Sequence, residues 1–299
     1  MCAKSGSRTA DTKQGIVEYA VDGTGPAVLV AHGAPGGYDQ GLLSLRELVG
    51  RGYSLLAPSR PGYLGTPISS GETPAQQAAL MEALLDEVGI EQVVVAGLSA
   101  GGPCACQFAL DFPERTAGLI LLSAVTQDYA PPDHSAGSLV GGFFNCGLAS
   151  WLISLLAHHA PTLIVKAVVD AEGSFDQETA DRIAEAILLE PEKLGYIGEL
   201  IDTMLPPGKR RQGLRNDLKQ LSCLGNIALK NIVVPTLIVH GTNDSDVPSE
   251  HAREAAALIP RAELVMVDEG FHLLELSVDS DMIWDRMQQF LLKCHVDRL

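Results

Sequence analysis

Along the first 125 residues and again after residue 234, short runs of consecutive apolar residues alternate with longer stretches whose apolar positions recur at helical spacing. The short runs are Ala27–Ala31, Tyr53–Ala57, Val93–Ala96, Gly118–Ser123, Pro235–Val239 and Glu263–Val267, each bounded by turn residues. Most lack the polar alternation of a half-solvated strand, so they predict strands covered on both faces, as in a mostly parallel sheet. Ile16–Val21 is an earlier strand, followed by the turn Asp22-Gly23-Thr24-Gly25-Pro26. Helices are predicted around Leu42–Val49, after Thr73-Pro74, where Leu80, Leu84, Leu85 and Val88 repeat until Gly89, and over Ala100–Phe112, ended by Pro113. Between Thr126 and Lys230 the alternation stops and helical patterns such as Ala180–Leu189 take over. It resumes with a helix at Ser249–Ile259 and a last one through Ile283, Met287, Phe290 and Leu291. The order predicts an α/β, doubly wound core built from residues 1–130 and 231–299, with a helical cap at 131–230 threaded into it.

Composition narrows the classes. A chain of 299 residues with 46% hydrophobic content buries a large core, and a net charge of −16 with one basic cluster, Lys209-Arg210-Arg211, argues against nucleic acid as a partner. The six cysteines, at 2, 104, 106, 146, 223 and 294, match neither a disulfide framework nor a paired zinc site, so reduced thiols are expected. Met1–Gly15 is polar and not a secretory signal, which leads to the expectation of a cytoplasmic location. Ser135–Ala157 is uncharged and long enough for a bilayer, but it holds Gly137, Gly141, Gly142, Asn145, Gly147 and Ser150 and no basic flank. A buried or substrate-facing helix is expected there instead of a membrane span.

The chemistry centres on Gly97-Leu98-Ser99-Ala100-Gly101, between a predicted strand and a predicted helix. A serine hydroxyl is a weak nucleophile unless a base takes its proton, and the strand–turn–helix setting presents it outward beside free helix N–H groups. The flanking glycines leave room for that turn. Two later loops supply partners. Leu237-Ile238-Val239 leads to Asp244, with Asp246 as a competitor that could instead cap the following helix. The last strand leads to His272, the one histidine of eight in a loop just after it. The backbone N–H groups of Ala100 and Ala34 are the candidate oxyanion donors, Ala34 lying in the loop His32-Gly33-Ala34-Pro35-Gly36, which His32 would brace. No H-E-x-x-H, Walker or G-x-G-x-x-G spacing occurs, so no metal or cofactor is expected.

Together His32–Gly36, Gly97–Gly101, Gly241-Thr242-Asn243-Asp244 and Gly270-Phe271-His272 resemble the α/β-hydrolase superfamily in their order. The similarity is to esterases, lactonases and carbon–carbon bond hydrolases whose cap follows the sixth strand. It implies an eight-stranded sheet, a Ser99, Asp244, His272 triad, and acyl-enzyme chemistry ending in hydrolysis. In some members the acid follows the sixth strand, where Asp128 stands here. Serine at the nucleophile speaks against epoxide hydrolase or haloalkane dehalogenase activity. The His-Gly-x-Pro-Gly-Gly loop also resembles proline iminopeptidases, whose nucleophile segment carries tryptophan where Leu98 stands. The expectation is a serine hydrolase of carboxylic ester or related acyl bonds, acting on a hydrophobic small molecule under a greasy roof at Val140–Leu156. Its competitors are an iminopeptidase-like peptidase, a non-catalytic ligand binder on the same fold, and a perhydrolase side activity of the same residues. Nothing in the sequence sets an oligomeric state.

Overall fold

The computed structural model describes residues 6–129, 155–156, 160–225 and 227–296. One sheet holds eight strands: β1 Arg8–Thr12, β2 Gly15–Gly23, β3 Ala27–Ala31, β4 Ser54–Pro58, β5 Val93–Leu98, β6 Thr116–Leu122, β7 Thr236–Gly241 and β8 Ala262–Val267. Their order is β1-β2-β4-β3-β5-β6-β7-β8. β2 is antiparallel to β1 and β4, and every other neighbouring pair is parallel. Strands β5, β6 and β7 are buried along their whole length, which is why their sequences run apolar without alternation.

Helices cover both faces. On one side α3 (Pro74–Val88), α4 (Gly102–Asp111) and α9 (Glu250–Leu258) pack through Leu84, Phe108 and Ala255. On the other, α2 (Arg46–Gly50) and α10 (Ser280–Val296) pack through Leu48, Trp284 and Met287. Thr73 begins α3 with a reciprocal cap: its hydroxyl accepts from Gln76 N at 3.3 Å, while Gln76 Oε1 accepts from Thr73 N at 3.1 Å. From β3 the chain goes to β4 on one side, then returns to β5 on the other. That reversal opens a crevice at the carboxyl ends of β3 and β5, the place where doubly wound sheets hold ligands.

Two details differ from the sequence reading. The helix expected at Leu42–Val49 is two, α1 (Tyr38–Ser44) and α2, because Leu45 leaves helical geometry (φ −115°, ψ 15°) with its side chain fully buried. Arg8–Thr12, within the polar start, forms an edge strand; it pairs with β2 from Arg8 opposite Tyr19 to Thr12 opposite Gly15, and Thr12 Oγ1 donates to Gly15 O at 2.8 Å.

Between β6 and β7 lie four described helices, α5 (Pro161–Glu172), α6 (Gln177–Leu189), α7 (Pro191–Asp202) and α8 (Arg211–Leu221). The first three share an apolar cluster of their own, including Val165, Ile183, Ile197 and Leu200, that reaches Leu43 and Phe271 of the core, while Leu221 of α8 packs with Ala100, Val125 and Val247. Residues 130–154 and 157–159, and with them nearly all of Ser135–Ala157 and the roof segment Val140–Leu156, lie outside the described residues. Among the described residues no helix is long and apolar enough to cross a membrane.

Buried charge ties this insertion to the core. Asp217 of α8 accepts from Arg60 Nη1 at 2.7 Å, Arg60 Nη2 at 2.6 Å and Tyr63 Oη at 2.5 Å, with the Arg60 and Asp217 side chains only 1% and 5% exposed. The fork-on-carboxylate geometry meets the charge in both directions, and Asp217 holds the Arg60 guanidinium charged against the cost of burial. Arg210 binds the other side, donating to Asp39 Oδ2 and Gly36 O at 2.6 Å each. Removing one partner of a buried pair strands the other charge. Asp217→Asn is therefore expected to lose about 3–5 kcal/mol of stability in urea denaturation, whereas Glu263→Gln, which breaks the half-exposed pair with Arg286, loses no more than about 1 kcal/mol.

Candidate active site

Ser99 follows β5 in the left-handed region, at φ 48°, which residues other than glycine rarely occupy. The turn continues as a single 3-10 turn, Ser99–Gly101, into α4. A Cβ at Gly97 would come within 2.7 Å of the Ala105 side chain and 3.0 Å of Gly102 Cα, and one at Gly101 would drive into the carbonyl of Ala31. Both glycines are thus required by the close approach of α4 to β3 and β5. Val125 N donates to Ser99 O at 3.0 Å and holds the turn from the next strand end.

The structure brings Ser99, His272 and Asp244 together from the ends of β5, β8 and β7. His272 Nε2 is 3.1 Å from Ser99 Oγ, and His272 Nδ1 is 2.9 Å from Asp244 Oδ2 and 3.1 Å from Oδ1. A carboxylate can only accept, so Nδ1 carries a hydrogen, and when the ring is neutral its Nε2 lone pair faces the serine hydroxyl. Asp244 is itself held in place: Oδ1 accepts from Asp246 N at 3.0 Å and Val247 N at 2.8 Å, while His240 Nε2, donating to Val247 O at 2.8 Å, lies 3.2 Å from Oδ2.

The alternatives sort themselves by position. Asp128 accepts from Gly225 N at 2.8 Å, away from His272. Asp246 does not cap α9; its Oδ1 accepts from Tyr129 Oη at 2.8 Å and its Oδ2 stands 3.4 Å from His272 Nε2. His32 braces its loop: Nδ1 donates to Gly33 O at 2.7 Å, Nε2 accepts from Arg60 N at 2.9 Å, and burial keeps the ring neutral by pushing its pKa well below the usual value. His251 is structural, accepting from Thr126 N at 3.1 Å; His158 and His159 lie outside the described residues. Ala34 and Ala100 both line the cavity at Ser99. The buried Cys104 and Cys106 thiols are pushed up to about 12 by burial, which leaves them without nucleophilic character.

Charge is concentrated around the imidazole. Burial alone would lower the His272 pKa, but Asp244, Asp246 and Glu172 outweigh it and raise it to about 10. Burial likewise opposes ionisation of Asp244, yet the charge on His272 and hydrogen bonds from His240 and His272 hold its carboxyl below the usual range. Glu172, at the end of α5, is pushed up to about 7, first by burial and then by the repulsion of Asp246 and Asp244 against the pull of His272. Oxygens of Glu172 and Asp246 and a His272 nitrogen lie within 4.8 Å of one another. We assign no ion to this group, because Nδ1 is given to Asp244 and the Nε2 lone pair to Ser99. Glu172, Tyr129 and His240 had no signature in the sequence: each reaches the site by through-space placement and not by motif.

Above Ser99 lies a cavity of about 600 Å³, lined on its apolar side by Ile164, Val168, Leu200, Met204, Trp284 and Met287. Inserted helices and core thus both contribute to its wall.

A family model for alpha/beta hydrolases matches residues 28–281. The chain belongs to the alpha/beta hydrolase family. Among solved structures this hydrolase is similar to an alpha/beta hydrolase fold protein from Nakamurella multipartita, 36% identical, with a TM-score of 0.90 over 96% of this chain and 99% of that one. It is 31% identical to the uncharacterized hydrolase YcgS of Bacillus subtilis, over 89% of this chain and 91% of that protein. It is also 26% identical to a 2-hydroxy-6-oxononadienedioate/2-hydroxy-6-oxononatrienedioate hydrolase of Cupriavidus pinatubonensis, over 89% of each.

The φ of Ser99 has a measurable cost. At a left-handed position glycine is favoured over alanine, so Ser99→Gly should be more stable than Ser99→Ala by about 1 kcal/mol in urea denaturation, although both remove the hydroxyl. Equal stability of the two would show that the turn is not strained.

Proposed function

We propose that the protein is a serine hydrolase that cleaves a carboxylic ester or related acyl bond of a hydrophobic small molecule through an acyl-enzyme. The observation that carries this reading is the continuous chain from Asp244 through His272 Nδ1 and Nε2 to Ser99 Oγ, with contacts of 2.9 and 3.1 Å. Ser99 Oγ attacks the carbonyl carbon while His272 Nε2 takes the hydroxyl proton; the carbonyl π electrons move to oxygen, where the Ala34 and Ala100 N–H groups would stabilise the charge. As the tetrahedral intermediate collapses, the proton passes from His272 to the leaving oxygen. Water, deprotonated by the same nitrogen, then releases the acid and restores Ser99. Asp244 holds the ring in the tautomer that keeps Nε2 basic and stabilises the imidazolium.

The cavity supports a neutral substrate. Glu172, Asp246 and Glu275 line it, Asp217 is tied to Arg60, and no lysine or arginine lines it among the described residues. Residues 130–154 contain no lysine or arginine in their sequence. A dicarboxylate such as the substrate named for the Cupriavidus relative would meet like charge in an apolar wall, so we do not carry that substrate over.

A fluorophosphonate should label wild-type Ser99 and leave Ser99→Ala unlabelled by peptide mass spectrometry; labelling at another serine would overturn the assignment. Asp244→Asn should lower kcat by about four orders of magnitude through the wrong tautomer, with KM little changed. Against a matched pair of nitrophenyl esters, butyrate should exceed the succinate half-ester in kcat/KM by about 100-fold. Parity between the two would contradict the neutral-substrate reading.

A further inference from the structure

We propose that Glu172, carried on the inserted helix α5, is a positioning residue of the hydrolytic site that acts through His272. The proposal rests on the function proposed above, and makes the insertion part of the reaction centre as well as its roof. Backbone geometry comes first. The carbonyls at the end of a helix lack partners within it, and those of α5 are met by the two loops that carry the acid and the base. Glu172 O accepts from His272 N at 3.2 Å and from Ser245 N at 3.3 Å, and Ala171 O accepts from Ser245 Oγ at 3.0 Å. Just beyond the helix, Gly173 forms an antiparallel bridge with Asp244, Ser174 N donates to Asn243 O at 2.8 Å, and Asn243 Nδ2 donates to Ser174 O at 2.7 Å. One helix end therefore fixes the approach of both loops.

The side chain adds charge at the same place. Glu172 lines the cavity, with a carboxylate oxygen within 4.8 Å of both His272 and Asp246. The groups facing His272 are Asp244 and Asp246 from the loop after β7, Ser99 from the turn after β5, Glu275 from the segment following His272, and Glu172 from α5. Glu172 in turn faces Asp244, Asp246, His272 and Tyr129. The acids differ in support. Asp244 has two backbone N–H donors and Asp246 has the Tyr129 hydroxyl, while Glu172 is pushed up to about 7 by burial. Glu172 thus ionises below the range over which His272 becomes a free base, so its carboxylate is charged while the ring loses its proton, and each charge shifts the titration of the other. When ionised, its carboxylate favours the imidazolium that forms as Ser99 loses its proton. The same charge delays deprotonation of the resting ring to higher pH.

The test is the pH dependence of kcat/KM and of the rate of Ser99 labelling by a fluorophosphonate, in wild type, Glu172→Gln and Glu172→Asp. Neutral His272 is the reactive form, so both rates rise with pH as the ring loses its proton. In the wild type that rise should lie above the ordinary histidine value of 6.5. Glu172→Gln should move it down by about one pH unit, because the lost anion no longer holds the imidazolium, with KM unchanged and the plateau kcat lower. Glu172→Asp, which keeps the charge, should restore most of the wild-type position. A rise at 6.5 in the wild type, or one unmoved in Glu172→Gln, would overturn the proposal while leaving the hydrolase reading intact. Turnover without any label on wild-type Ser99 would instead overturn that reading, and the proposal with it.

Discussion

Everything at this site depends on one backbone turn that the chain can make only under constraint. Ser99 sits at φ 48°, and the turn survives because Gly97 and Gly101, two residues to either side, have no side chains where β3, β5 and α4 come closest. The buried strands and the helix beneath them are what hold a turn of that kind, since strain of this size persists only where its surroundings over-determine it. Its consequence is positional: the hydroxyl stands at the carboxyl edge of the sheet, at the reversal of strand order and at the entrance to a helix. Asp244 and His272 reach it from the loops after β7 and β8, two and three strands over.

The electrostatics follow from that placement. A carboxylate, an imidazole and a hydroxyl gathered in a largely apolar cavity must each be paid for in desolvation, and the loop after β7 does so with backbone donors to Asp244 and a second histidine behind it. Two further carboxyl groups, Asp246 and Glu172, press on the same ring, one from the core and one from the insertion. Three of the contacts that hold the insertion to the core are the buried Arg60–Asp217 pair, Arg210 on Asp39 and Gly36, and the end of α5 on the loops of Asp244 and His272. Two of the three bear on residues that flank the cavity. The wall of the cavity and the geometry of Ser99, His272 and Asp244 are therefore mechanically joined.

Much of this was legible in sequence, for reasons that are local. Strands such as Val93–Leu98 and Thr236–Gly241 betray themselves by unbroken apolar runs, because both their faces are covered. Ser99, Asp244 and His272 could be singled out because a strand end and a glycine pair each leave a mark on the neighbouring residues. The edge strand Arg8–Thr12 left none, since its residues are polar apart from Ala10 and it joins the sheet chiefly by backbone pairing. The break at Leu45 was hidden because a buried leucine looks the same inside a helix or between two. Arg60 with Asp217 are 157 residues apart, and Glu172 stands 100 residues before His272, so neither relation has a spacing to detect. Such contacts are properties of the folded surface, and only the structure displays them.

In the proposed mechanism Ser99 becomes covalently acylated in each turnover, with water entering only afterwards. Rapid acid quench of the wild-type protein during hydrolysis of a nitrophenyl ester, followed by peptide mass spectrometry, tests it most directly. A transient mass increase equal to the acyl group is expected on the peptide containing Ser99, appearing with the first burst of nitrophenol and disappearing as substrate is exhausted. Turnover at the full rate with no acylated Ser99 at any quench time would contradict it, since water would then be attacking the substrate directly.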